Sequence, residues 1–267
     1  MHGARLLNGV DRRVAGRLYV GTSGFAYADW SPKFYPEGLK ADRLLPYYAS
    51  RFGACELNNT FYARPTEARI DAWLRSTPDT FRFAIKAQRG GSMRALLQDP
   101  TGSVAWLTEP LPRFGDRLGS VLFRVPKEVR LNLDRLTAFL ATWPRAIPLT
   151  MEFQQASWHV DEVFDALRGA SATLCATDLP DDSEPPSLRL TGPFLYLRLR
   201  RHDYRAGELT EWAERLAPFV VDGRDAFVFF RHDETGRATE LATGFEAAVE
   251  AVVHRLMSSQ VRGQPVA

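Results

Sequence analysis

Glu56 and Asn58 stand two residues apart in the stretch ACELNN (54–59). On an extended strand both side chains therefore face one way, and Cys55 and Leu57 face the other. A carboxylate ending an apolar strand costs several kcal/mol unless a charge or a hydrogen-bond donor meets it. The same pattern recurs along the chain. Lys86 ends FRFAIKA (81–87), Arg124 lies near the end of GSVLFRVP (119–126), and Glu152 and Gln154 end PLTMEFQ (148–154). Asp178 ends ATLCATD (172–178), Arg198 and Arg200 end PFLYLRLR (193–200), and Arg231, His232 and Asp233 close the last apolar run (225–232). Carboxylates gathered with a lysine suit proton transfer, which makes Glu56, Lys86, Glu152 and Asp178 the catalytic candidates. Arg124, Arg198 and Arg200, with Asn58, Gln154 and His232, suit the binding of an anion. The structural alternative is an ion-pair network that only closes this end of the fold, with Lys86 neutralising Glu56.

Other chemistries have weaker support. Glu56, Glu152 and Asp178 suit Mg²⁺ or Mn²⁺ with water in the remaining positions, but four nearby cations argue against a permanent site, so no metal ligand is assigned and the cofactor is left open. His159, His202 and His232 have no zinc-ligand spacing, and there is no G-x-S-x-G elbow. Ser23 beside Gly24 reads as a turn residue. RGGSMR (89–94) reads as an anion-wrapping or mobile loop. Trp30, Phe34, Tyr35, Phe61 and Tyr62 fall in loops near the polar ends, where they suit stacking on a base or sugar, or simple packing.

Residues placed in this way need strands that all end on one side. Eight short apolar runs alternate with amphipathic helical patterns at 41–52, 66–76, 133–143, 159–170, 208–220 and 244–257. Residues 88–102 read as a long loop, and the Pro-rich connection after Asp178 reads as a return without a full helix. Eight strands in one 267-residue chain is the count of a (β/α)8 TIM barrel, an α/β fold of one domain. A doubly wound sheet would carry a Gly-rich phosphate turn after its first strand, and GTSGFAY is not one. In a barrel the polar strand ends form the C-terminal rim, where active sites lie. The predicted domain spans 17–258, with a flexible arm at 1–16 and a tail at 259–267.

Composition is that of an ordinary globular protein, 45% hydrophobic and 25% charged, with a formal net charge of +2 that implies no nucleic-acid coat. Cys55 and Cys175 read as buried thiols rather than a disulfide framework. No apolar run reaches the ~18 residues of a membrane span, and no leader pattern follows Met1, so a cytoplasmic location is expected.

The ordered motifs GTSGFAYADW…FYP, CELNNTFYARP, WLRSTPDTFRFAIK, MEFQQASW, ATD and LYLRLR resemble the YecE-like family, also called domain of unknown function 72, over about residues 18–245. The resemblance implies a TIM barrel and no established reaction. Glu56, Asn58, Thr60, Tyr62, Lys86, Glu152, Trp158, Asp178 and Arg198 match the family pattern, which adds Tyr62 and Trp158 to the ligand-binding candidates. The chain departs from that pattern at Gln154 and Gln155, where the family carries Arg-His, at Arg200, where it carries His, and at Arg231 and His232, where it carries Asn. Each histidine exchanged for arginine replaces a candidate base with a fixed cation. The expected function is an enzyme acting on a phosphate-containing or nucleic-acid-related anionic substrate, in the manner of a phosphodiester hydrolase. A non-catalytic binder of a small anion or nucleic acid is the alternative, and a sugar isomerase the third reading. The oligomeric state is open.

Overall fold

Each of the eight apolar runs forms a parallel strand in the computed structural model, which describes residues 15–180 and 184–261. They are β1 (Leu18–Thr22), β2 (Ala54–Leu57), β3 (Arg82–Lys86), β4 (Leu118–Val125), β5 (Leu149–Phe153), β6 (Thr173–Asp178), β7 (Phe194–Leu199) and β8 (Asp225–Phe230). They follow one another around a single sheet, from β2 through β3 to β8 and on to β1. Helices α1 (Leu44–Ala49), α2 (Glu67–Arg75), α5 (Leu133–Thr142), α6 (Asp161–Gly169), α7 (Ala206–Val221) and α8 (Arg237–Val261) follow the amphipathic patterns. Most of the predicted arm and most of the predicted tail lie outside the described residues. No helix among those described is long and apolar enough to cross a membrane.

The circle closes at a narrow seam. Between β1 and β2 the backbone link is one bridge, Ser23 to Glu56, with the Gly24 amide donating to the Glu56 carbonyl at 2.7 Å. Below it the Tyr48 hydroxyl, from α1, spans the gap, accepting from the Thr22 amide at 2.7 Å and donating to the Ala54 carbonyl at 3.2 Å. Gly21 makes that approach feasible, because a Cβ there would lie 2.0 Å from the Ala54 oxygen. A buried amide left unpaired costs about 1–3 kcal/mol, so the tyrosine replaces a missing rung of the ladder.

The barrel interior is packed from Tyr19, Ala54, Ala84, Leu122, Cys175, Phe194, Tyr196, Phe227 and Phe229, with Tyr19 and Phe227 stacked at 4.7 Å. These side chains fill the barrel below its C-terminal mouth. Polar side chains on the same inward faces are therefore held as a lid above the aromatics.

Two expectations are corrected. Residues 88–102 are not a loop: α3 (Arg89–Leu97) and α4 (Pro100–Thr108) fill them, capped by Gln88 and Asp99 accepting from the amides of Gly91 and Gly102. The glycine pair argues against a helix locally, but a Cβ on Gly91 would lie 2.8 Å from Leu107 and Trp106, so close helix packing requires it. Helix α8 also starts earlier than its apolar pattern, because Asp233 accepts from the amides of Arg237 and Ala238. The expected helix-poor return between β6 and β7 is found: no helix occurs there among the described residues.

Candidate functional site

The strand register assembles the mouth. Arg124 on β4 pairs with Glu152 on β5, and Thr177 on β6 pairs with Arg198 on β7. Tyr196, two residues before Arg198, faces the same interior. Across the barrel from β7, Glu56 rises from β2.

Glu56 is fully buried and meets four donated hydrogen bonds. Ser23 Oγ (2.7 Å) and Arg198 Nη2 (2.8 Å) donate to Oε1, and Tyr196 Oη (2.9 Å) and Arg198 Nε (3.0 Å) donate to Oε2. Arg198 thus forks onto the carboxylate with two parallel bonds, the strong form of this pairing. Its third nitrogen, Nη1, donates to Glu152 Oε1 at 2.6 Å, and Thr177 donates to the same oxygen at 2.8 Å. The other Glu152 oxygen, Oε2, is buried and accepts no hydrogen bond. Arg124 Nε lies 3.5 Å from it, near enough for charge pairing but not aligned to donate.

Charge sets the protonation states. Burial alone would raise the Glu56 carboxyl, but Arg198, Lys86 and Arg200 outweigh it and hold the group down at about 2. Burial likewise works against ionised Glu152, and Arg198 with Arg124 still keeps its pKa below the ordinary value. Burial and Arg198 lower Lys86 to about 8, and the same two causes lower Arg200 to about 10. Burial, with Arg200 and Arg231, lowers His232, so its imidazole is neutral at pH 7.

A cavity of about 240 Å³ opens over this layer, lined by Arg124, Glu152, Arg198, Arg200, Arg231 and His232, with Gln154 and Thr177 in its wall. A larger groove of about 770 Å³ adjoins it, sharing Arg124, Gln154 and Leu179 and adding Phe61, Met93, Arg89 and Lys127. The smaller cavity holds Glu152 and His232, and the groove holds Arg89, Lys127 and Glu128. His232 stacks on Tyr27 with ring centroids 4.8 Å apart, and its Nδ1 has no partner. Arg200 Nη1 donates to Ser23 Oγ at 3.1 Å. Asn58 donates to the Ser23 carbonyl at 2.9 Å, and its own buried Oδ1 has no partner.

Glu56, Glu152, Arg124, Arg198, Arg200, Gln154 and His232 therefore meet at one mouth, with Asn58 beside them. Lys86 joins them from β3. It is 8% exposed, with its ammonium 4.5 Å from the centroid of the Phe61 ring. The partner expected for Glu56 is corrected, since Arg198 neutralises it and Lys86 makes no ion pair among the described residues.

Three candidates fall outside the mouth. Asp178 pairs in register with helix-facing Leu199 and lies on the outer face of β6, where Arg201 (3.0 Å) and Tyr204 (2.9 Å) hold it. Trp158 is buried outside the barrel wall, stacked on Phe153 at 4.7 Å and donating to the Val129 carbonyl. Tyr62 is 80% exposed and lines neither cavity. With Asp178 turned outward, the three carboxylates proposed for a divalent metal do not converge, and no group of three metal-ligating side chains occurs among the described residues. Ser23, Thr177 and Tyr196 complete the mouth without having been chosen from sequence, and Arg231, which the sequence placed at a strand end, joins it without having been named as a ligand-binding candidate. For Tyr196 the alternation through Arg198 was the available signal.

Comparison with known proteins agrees with this architecture. The model of the family described as "Protein of unknown function DUF72" matches residues 19–265. The UPF0759 protein YunF of Bacillus subtilis is 24% identical, over 84% of this chain and 91% of its own. A DUF72 family protein of Thermotoga maritima superposes with a TM-score of 0.75 at 27% identity, covering 87% of this chain and 99% of the other. One from Enterococcus faecalis gives 0.73 at 16% identity, covering 87% and 95%, and supports the fold alone.

Proposed function

The chain belongs to the DUF72 family, and on that premise we propose that it is an enzyme acting on a small phosphate-bearing substrate held at the C-terminal rim of its barrel. One observation carries this reading. Lys86, Arg124, Arg198, Arg200 and Arg231 bring five cations to a mouth with two carboxylates, Glu56 and Glu152, and Arg198 is already committed to both. The excess is positive and partly buried, and its four arginines line a cavity of about 240 Å³. A phosphate there would meet Arg124, Arg200 and Arg231, whose planar guanidinium groups suit its oxygens. The adjoining groove, with Phe61 and Met93 beside Arg89 and Lys127, accommodates the rest of a longer substrate.

The chemistry available is proton transfer. Glu152 is ionised, and its unpartnered Oε2 can accept a hydrogen bond from an attacking water or a substrate hydroxyl. Lys86, near 8, can donate a proton to a leaving oxygen as the phosphorus–oxygen bond breaks. A screen of phosphomonoesters, phosphodiesters and sugar phosphates, with and without Mn²⁺, tests the reading. Turnover should appear with one class and fall at least ~10²-fold in Glu152→Gln, the usual scale for a lost acid–base group, while inorganic phosphate still binds. If phosphate does not bind to the wild type, the anion reading fails.

Binding without turnover is the second reading, and one observation favours it. The hydroxyls of Ser23 and Thr177 both donate to carboxylates, so neither stands free as a nucleophile. Phosphate binding with no turnover across the screen would decide for it.

A further inference from the structure

The geometry points to Lys86 as a covalent nucleophile, one that condenses with the aldehyde or ketone carbonyl of an anionic substrate to form an imine. The inference rests on the anion pocket for substrate recognition, but not on ester cleavage as the reaction.

The chain contains 30 arginines and four lysines, Lys33, Lys40, Lys86 and Lys127. Arginine remains charged and is not a nucleophile at neutral pH, whereas a lysine moved toward neutrality is both a base and a nucleophile. The cations that line the smaller cavity, on β4, β7 and the segment after β8, are all arginine. Lys86 of β3 lines neither that cavity nor the groove itself, and meets the groove through Phe61. It sits at the C-terminal end of its strand, where barrel enzymes place reacting groups. Its side chain is held by the barrel wall, with its Nζ over Phe61, which also lines the groove. A merely structural cation here would be expected to pair with a carboxylate. Both carboxylates of the mouth are instead bonded by Arg198, which leaves Lys86 without an ion pair among the described residues.

The charges facing Lys86 come from four strands: Arg198 on β7, Arg124 on β4, Glu56 on β2 and Glu152 on β5. Burial and the arginines outweigh the carboxylates, so the amine loses its proton near 8 rather than near 10.5. A free-amine fraction therefore exists at neutral pH, and it grows as pH rises through that value. Desolvation beside other cations is an established way to make a lysine an imine-forming nucleophile.

The step balances without any further reactant. The Nζ lone pair adds to the carbonyl carbon, and the carbonyl electron pair moves to oxygen, which takes up one of the two amine protons. The second amine proton of the carbinolamine then goes to that oxygen as it leaves as water, and the nitrogen electron pair it releases forms the carbon–nitrogen double bond. Glu152 Oε2, buried and unpartnered, can accept from the carbinolamine hydroxyl. The substrate class follows: a small 2-oxo acid, or an aldehyde or ketone phosphate, with its anionic group among Arg124, Arg200 and Arg231.

Reductive trapping tests the inference. The intact protein is incubated with pyruvate or with glycolaldehyde phosphate in the presence of cyanoborohydride, and the adducts are mapped by peptide mass spectrometry. Labelling of Lys86 is expected at least ~10-fold faster than at Lys33, Lys40 or Lys127, on the scale of a pKa moved by more than one unit. Its rate should rise toward pH 8 and be slowed by inorganic phosphate. Lys86→Arg, which keeps the charge, should abolish that adduct while leaving the circular dichroism spectrum unchanged. The site is read in the wild-type protein, so a variant that fails to fold does not remove the test. Labelling spread evenly over the four lysines, or absent from Lys86 while phosphate still binds, overturns the imine and leaves the anion pocket standing. Rapid labelling of Lys86 that phosphate does not slow supports the nucleophile and overturns the anion pocket.

Discussion

Glu56 and Glu152 are the same kind of group in different neighbourhoods: both are buried carboxylates in one layer, and both are bonded to Arg198. Glu56, on the seam side, has both oxygens filled by three residues from two segments: Ser23 after β1, and Tyr196 and Arg198 on β7. Glu152, on the cavity side, has one oxygen filled and one open beside Arg124. A saturated buried carboxylate has no lone pair left for a ligand, so Glu56 acts as a positioning residue that holds Arg198. A half-saturated one facing a cavity is a place where a ligand can be recognised. Burial and charge type are nearly equal in the two, so it is the count of donors that separates scaffold from site.

The sharpest way to break this comparison is to delete the saturated partner. Glu56→Ala leaves Arg198 with one of its two carboxylates and leaves Tyr196 and Ser23 without an acceptor, and should cost about 3–5 kcal/mol in chemical denaturation. Adding Arg198→Met should not recover that loss, because it strips buried Glu152 of its arginine, whereas Arg198→Met with both Glu56→Ala and Glu152→Gln should, since no uncompensated buried charge then remains. A loss under ~1 kcal/mol, the scale of an exposed pair, would mean that Glu56 is not the anchor its donors suggest.

Acid provides a gentler test of the same pair. The folded state holds Glu56 at about 2 against an ordinary 4.5. A depressed folded value means that the unfolded chain takes up the proton first as pH falls. The stabilisation is therefore complete above about 4.5 and is lost between there and about 2. It amounts to roughly 3 kcal/mol at 1.36 kcal/mol per unit. Denaturation curves at stepped pH should show a slope in that window that Glu56→Gln reduces. An unchanged slope would assign the acid sensitivity to other carboxylates.

How far the sequence reveals these two neighbourhoods depends on which physical rule governs each residue. Two-residue alternation placed Glu56, Lys86, Arg124, Glu152 and Arg198 on inward faces near strand ends, because a strand in a closed barrel has only two faces. The same rule turns Leu195, Leu197 and Leu199 toward the helices, which leaves Tyr196 and Arg198 inside. Which inward group meets which is not contained in that rule. Lys86 is on the strand adjoining Glu56, yet Arg198 reaches Glu56 across the barrel, a choice set by barrel width and side-chain length. Helix α3 was missed because one of its glycines, Gly91, is required by packing against α4, at Trp106 and Leu107, which local sequence does not show. Ser23 read as a turn residue because its role depends on the β1–β2 seam, a contact between segments 33 residues apart.

Asp178 gives the smallest expected effect and the cleanest contrast, because it differs from Glu152 by one step of the same alternation. It ends β6, and the inward residue there is its neighbour Thr177, which donates to Glu152. Asp178 points outward, where Arg201 and Tyr204 tie the segment after β7 to the wall. Asp178→Asn keeps an acceptor for Tyr204 but removes the charge facing Arg201, which is itself partly exposed. The stability cost should be about 1 kcal/mol, within the range of a partly exposed charged hydrogen bond. Phosphate affinity should match the wild type, since none of the cavity-lining cations loses a contact. Isothermal titration of phosphate against both proteins reads this directly. A several-fold loss of affinity with the fold intact would show that the outer wall of β6 helps shape the pocket, and the division between inner and outer faces would have to be redrawn there.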